Sequence, residues 1–124
     1  HIHIIVPSEK IDSKPTRHAS QNHWAEILRA GIRLYQFDPT MMHAKLLVAD
    51  DRFTITGSAN LDDRSFFIND EVNLHVDSSS FAREQTAVFQ RDLKRCREIT
   101  LANLPSLLAP WHQRLGAWLI SPHL

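Results

Sequence analysis

At 124 residues, with 14 Lys or Arg balanced by 14 Asp or Glu, the chain suffices for one domain with a real core and carries no overall basic surface of the kind that advertises nucleic acid. Its single cysteine, Cys96, excludes an internal disulfide. No apolar run in it reaches the roughly 20 residues that span a bilayer, and no stretch reads as a signal peptide.

The first residue is His rather than Met, and the chain opens on a strand-like run. This predicts a fragment, with a start, any membrane anchor and an upstream half lying elsewhere. His1-Ile2-His3-Ile4-Ile5-Val6 reads as a strand stopped by Pro7. His1 and His3 alternate onto one face, which reads either as a metal pair or, with no third ligand nearby, as the exposed face of an edge strand. Ser8 to Arg17 reads as a loop, either a solvated connection or a lip of a site.

Residues 18–30 have Trp24, Ile27 and Leu28 at helical spacing, with Gly31 placed to end the helix. Ile32 to Phe37 alternates into a second strand, and Asp38-Pro39 turns the chain. Strand, helix, strand at this spacing predicts a parallel pair.

The run from Ala44 to Ala49 is apolar and reads as a strand, so His43 and Lys45 share a face. Asp50-Asp51-Arg52 is the polar tip of a hairpin, and Phe53 to Thr56 returns antiparallel, adding to a mixed sheet. Gly57 lets backbone approach closely, and Ser58 and Asn60 follow with a hydroxyl and an amide. With Glu71 these groups supply a nucleophile or base, a cation, small polar donors and an acid, which is a phosphoryl-transfer inventory.

The Asp62-Asp63-Arg64-Ser65 cluster reads equally as a binding loop or as a self-braced turn, and Phe66, Phe67 and Ile68 read as core in preference to an acyl-chain groove. Val72 to Val76 alternates again, with Val72, Leu74 and Val76 on one face and Glu71, Asn73 and His75 on the other. Ser78-Ser79-Ser80 offers N-caps for a helix from Phe81 to about Arg97. Its basic end, Arg91, Lys94, Arg95 and Arg97, suits the helix dipole and reads as a solvated face or as a contact for anionic headgroups. A last helix is expected from Pro110 to Ile120. Its Trp111 and Trp118 read as a membrane-interface surface, as packing on the sheet, or as a cover for the face of a missing half.

The spacing H-x-K-x(4)-D-x(6)-G-S-x-N, at His43, Lys45, Asp50, Gly57, Ser58 and Asn60, resembles the signature of the phospholipase D superfamily. Residues 60–74, N-L-D-D-R-S-F-F-I-N-D-E-V-N-L, resemble its bacterial cardiolipin synthase branch, in the C-terminal half of such an enzyme. The likeness reaches from Val6-Pro7 through Ala30-Gly31-Ile32 to Leu119-Ile120-Ser121-Pro122. It implies an α/β fold, a mixed, mostly β-sheet flanked by helices, in one phospholipase D-like domain over residues 1–124, the C-terminal half of a longer two-motif chain.

Phosphodiester exchange needs a nucleophile on phosphorus, stabilisation of the five-coordinate charge and a proton for the leaving alkoxide. His43 can attack or protonate, Lys45 and Asn60 can hold the non-bridging oxygens, and Ser58 can add a hydrogen bond. Lys45 supplies by fixed charge what a metal supplies elsewhere, so neither metal nor cofactor is implied. The resemblance assigns Glu71 to the second imidazole nitrogen, while Asp50 reads as bracing the hairpin.

One histidine cannot carry the phosphoryl group and protonate the leaving alcohol in the same step. The superfamily pairs two motifs, so the expected partner is a second motif half, in the same chain or in a homodimer. The implied activity is phosphatidyl transfer in cardiolipin synthesis, from phosphatidylglycerol to a second phosphatidylglycerol or to another alcohol, through a phosphohistidine and at the bacterial cell membrane through parts outside this chain. The alternatives are a nuclease or hydrolytic phospholipase D, and an inactive half when isolated. Acidic residues outnumber basic ones between residues 41 and 80, which argues against DNA.

Overall fold

The computed structural model describes residues 1–10 and 14–104. The helix expected between Pro110 and Ile120, with Trp111 and Trp118, lies outside them. The class is mixed α/β, with two three-stranded sheets flanked by helices. The described residues fall into two compact units, one of His1–Met42 with the chain from Arg95 onward, the other of His43–Lys94.

In the first unit, β1 (His3–Pro7), β2 (Arg33–Phe37) and β6 (Cys96–Ile99) form a sheet with β2 at its centre. β1 runs parallel to β2 from His3 opposite Arg33 to Pro7 opposite Phe37, and β6 runs antiparallel, with Ile99 opposite Leu34. The connection between β1 and β2 is α1 (Lys14–Arg29). It lays Trp24, Ile27 and Leu28, one stripe at i, i+3 and i+4, against Leu34 and Ile99, with Ile4 and Val6 completing the core.

Helix α1 ends as Gly31 predicts. Gly31 takes a φ of +82°, Ile32 N–H donates to Ile27 O and Gly31 N–H to Leu28 O, so two carbonyls of the last turn are satisfied. Its start lies at Lys14 rather than at residue 18. Pro15 suggests a loop, but in a first turn its missing N–H costs nothing because those amides have no intrahelical partner.

β1 is an edge strand, as the second histidine reading expects, and His3 has an aromatic neighbour there. Its ring stacks on Tyr35 at 5.8 Å with planes 4° apart, and Tyr35 is in turn crossed by the Arg33 guanidinium. Lys10 donates to the carbonyls of Asp38 and Pro39, tying the segment after β1 to the turn after β2.

The second unit carries the motif. β3 (Leu46–Ala49), β4 (Phe53–Gly57) and β5 (Asn73–Asp77) form an antiparallel sheet centred on β4, and α3 (Ser79–Leu93) packs on β3 and β4. The motif hairpin therefore pairs with β5 and not with β2, and the mixed pairing of the first sheet comes from β6. At the hairpin tip Asp50 and Asp51 both take positive φ, 53° and 49°, and Arg52 N–H donates to Ala49 O. Aspartate tolerates this left-handed region better than most side chains. Arg52 then grips both carboxylate oxygens of Asp77 at 2.7 and 2.8 Å, fastening the tip to the end of β5.

Ser78 caps α3 by accepting from Phe81 N–H. The helix stops at Leu93, short of the expected Arg97, and Cys96–Ile99 is strand β6. Two of the basic residues expected at its end serve the first unit, Arg95 over the Phe37 ring and Arg97 beside the Asp38 carboxylate at 3.6 Å.

Candidate active site

Leu46 opposite Thr56 and Gly57 opposite Asn73 set the register at one end of the β3–β4–β5 sheet, and the motif residues other than Asp50 lie at this end. His43 and Lys45 lie just before β3 rather than within it. Thr56 Oγ1 holds the Lys45 carbonyl at 3.0 Å, and Lys45 Nζ turns back to donate to His43 O at 3.1 Å. The sheet thereby fixes the segment that bears both side chains, leaving His43 exposed and Lys45 half-buried.

Gly57 is where the next strand comes closest. A Cβ there would stand 2.2 Å from Val72 O and 2.5 Å from Asn73 Oδ1, so any larger residue must push β5 away. Past it, the next three main-chain amides of the loop are taken. Ser58 N–H donates to Val72 O at 3.0 Å, Ala59 N–H to Asn73 Oδ1 at 3.3 Å and Asn60 N–H to Ser65 Oγ at 3.0 Å. These three amides are therefore not free to cradle an anion.

Glu71 closes the group. Ser58 Oγ donates to its Oε2 at 2.5 Å, while Ser65 Oγ and Asn69 Nδ2 donate to its Oε1 at 2.9 and 3.4 Å. These donors, Ser58 first, together with the charge of Lys45, hold the carboxyl below its ordinary value of 4.5 against a smaller opposing effect of burial. A carboxylate offers about four acceptor positions. Three are used, which leaves one on Oε2 for a further N–H; among the described residues His43 does not take it.

Asp50 is not brought to the others. It sits at the hairpin tip, seven positions along the chain from His43 and at the far end of β3. At about 3.3 Å per extended residue, Lys45 and Asp50 stand roughly 16 Å apart.

Of the Asp62-Asp63-Arg64-Ser65 cluster, the self-bracing arrangement is the one found. Asp62 Oδ1 accepts from Ser65 N–H at 2.8 Å and caps α2 (Asp63–Phe67). That five-residue helix turns Ser65 inward, 7 % exposed, and carries Phe66, Phe67 and Ile68 outward, so these three are not core of the described residues. Ser65, Asn69 and Asn73 are the site's supports that the motif spacing does not reveal. The one sequence signal is the cap residue Asp62 three positions before Ser65. Among the described residues no three His, Cys, Asp or Glu side chains gather as a metal set.

Residues 1–93 match the family model for the cardiolipin synthase, PLD-like domain. Among curated proteins, the minor cardiolipin synthase ClsB of Bacillus subtilis is 35% identical over 95% of this chain and 29% of its own length. The cardiolipin synthase A of Pseudomonas putida strain W619 is 35% identical over 99% of this chain and 26% of its own. The chain thus spans less than a third of the relatives it matches. Among solved structures, a phospholipase D family member, Nuc from Salmonella typhimurium, superposes with a TM-score of 0.66 at 19% identity, over 79% of this chain and 63% of that one.

Proposed function

Since the chain belongs to the phospholipase D-like domain family of cardiolipin synthase, we propose that it carries one catalytic motif of a phosphatidyltransferase that makes cardiolipin from phosphatidylglycerol. The observation that supports this most is the grouping at one sheet end of the His43–Lys45 segment with Ser58 and a Glu71 carboxylate kept ionised. Exposed Asp63 and Asp70 beside it disfavour a DNA polyanion.

In the reaction one motif histidine attacks the phosphorus of phosphatidylglycerol, forming an N–P bond as the P–O bond to the headgroup glycerol breaks. The histidine of a second motif, from another half or subunit, gives that glycerol oxygen its proton. A second phosphatidylglycerol hydroxyl then surrenders its proton to the same base and attacks phosphorus, releasing the first histidine with cardiolipin formed. In the half carried here, His43 serves as acid and base or, in a homodimer, exchanges roles with its copy. Lys45 and Asn60 hold the non-bridging oxygens as charge builds, the role in which one lost donor typically costs a hundredfold or more. Glu71, with its remaining acceptor position on Oε2, orients the imidazole.

The substrate places the enzyme at the bacterial cell membrane. Among the described residues no helix is long and apolar enough to cross it. Turnover of phosphatidylglycerol by the chain, alone and with a second motif half supplied, tests the proposal. Cardiolipin formation that disappears in His43→Ala is the expected result, and formation indifferent to that substitution overturns it.

A further inference from the structure

The molecule contains one small polar side chain that nothing in the motif spacing assigns and that the site is built around. Ser65 is buried while its neighbours Arg64, Phe66 and Phe67 are exposed. Its hydroxyl accepts from Asn60 N–H at 3.0 Å and donates to Glu71 Oε1 at 2.9 Å, and its own N–H is held by Asp62 Oδ1 at 2.8 Å. Resting on the phosphatidyl-transfer reading of the site, we propose that Ser65 is a positioning residue for that reaction, its single hydroxyl locking the Asn60 main chain and the Glu71 carboxylate into one geometry.

The chemistry of a hydroxyl suits this task. It has one proton and two lone pairs, so it can satisfy a donor and an acceptor at once. Ser58 has the same pattern on the other carboxylate oxygen, donating to Oε2 and accepting from Val72 N–H. Glu71 is therefore suspended between two serines, each of which also carries one main-chain amide. The Ser58 link ties the carboxylate to the start of β5. The Ser65 link ties it to the main chain of Asn60, whose side-chain amide the proposed reaction assigns to the phosphate. Removing the Ser65 hydroxyl frees the Asn60 main chain and leaves Oε1 with the long contact from Asn69. Threonine keeps the hydroxyl, while alanine abolishes it.

The test compares wild type, Ser65→Ala and Ser65→Thr in the full chain with the second motif half present. Three readouts are taken: the Glu71 carboxyl titration by carbon NMR, steady-state phosphatidylglycerol turnover, and the melting transition. Ser65→Ala is expected to move the Glu71 titration up toward 4.5. It is expected to lower kcat by about tenfold to a hundredfold with KM nearly unchanged, as for a misplaced transition-state contact. Ser65→Thr is expected to restore both. Should Ser65→Ala not fold, Ser65→Cys, of similar size with a weaker donor, carries the same comparison. A folded variant without the hydroxyl that keeps the wild-type titration and kcat overturns the positioning role. A titration that moves in a protein inert toward lipid overturns the phosphatidyl-transfer reading and leaves the positioning geometry standing. Lipid turnover that ignores Ser65→Ala does the reverse.

Discussion

The Ser58 hydroxyl donates to Oε2 of Glu71 at 2.5 Å while accepting from the amide of Val72, so one side chain fixes both the acid and the strand that follows it. This bond is the largest cause of the lowered Glu71 pKa. A carboxyl whose folded pKa lies below its unfolded value stabilises the fold at pH above that unfolded value, and the contribution fades as pH falls through the folded one. The wild-type chain is therefore expected to lose stability below pH 4.5 more steeply than Glu71→Gln, which has no proton to gain. Denaturant melts across that range, fitted for both proteins, check the difference in slope.

Gly57→Ala places a methyl group against Val72 O and Asn73 Oδ1. Val72 lies just before β5 and Asn73 opens it, and the first contact is main chain, so the clash cannot be relieved by a side-chain rotation alone. Overpacking of this kind costs roughly 1–3 kcal/mol. A lowered melting temperature, with loss of turnover as the Ser58–Asn60 loop shifts, is the expected outcome.

Lys45 and Asp50 belong to one motif but to opposite ends of β3. Lys45→Ala is expected to reduce turnover about a hundredfold or more, as loss of a preorganised charge does. Asp50→Gly is expected to retain it, because a positive φ suits glycine. Asp50→Val, forced into the same conformation, is expected to lose about 1 kcal/mol of stability or more. Parallel assays and melts of the three variants separate chemistry from turn formation.

Thr54, 1 % exposed at the middle of β4, buries a hydroxyl oxygen that finds no hydrogen-bond partner among the described residues. An unsatisfied buried group of this kind costs about 1–3 kcal/mol. Thr54→Val removes the oxygen at nearly constant shape, and a raised melting temperature with unchanged turnover is expected.

Much of the fold is readable in the sequence. Gly31 marks the end of α1 because few other residues accept its φ, and the alternation of Arg33–Phe37 and Asn73–Asp77 marks strands because period two survives over five residues. One strand and one pairing are not legible in this way. Cys96 continues the helical spacing from Leu93, and a four-residue strand is too short to announce its own period, so β6 hides in the tail of α3. The pairing of the motif hairpin with β5, sixteen residues past β4, is a tertiary choice that no local pattern records.

The site divides in the same way. The spacing from His43 to Asn60 stands out in the sequence because those side chains are chemically distinctive, and the proposed phosphoryl transfer is drawn from it. Their supports are not, because Ser65 and Asn73 act through ordinary hydrogen bonds whose partners are set by a five-residue helix and a strand register. Phe66, Phe67 and Ile68 look like core by composition, yet α2 is too short to bury two faces and spends its inward position on Ser65.

The proposed activity is phosphatidyl transfer at the His43 end of the β3–β4–β5 sheet. Its most direct test gives the chain, with a second motif half present, vesicles of phosphatidylglycerol and, separately, plasmid DNA, and resolves the products by headgroup and by strand length. Cardiolipin with one free glycerol per molecule formed, and intact DNA, is the predicted result. Phosphatidic acid as the sole lipid product, or cleaved DNA, would contradict it.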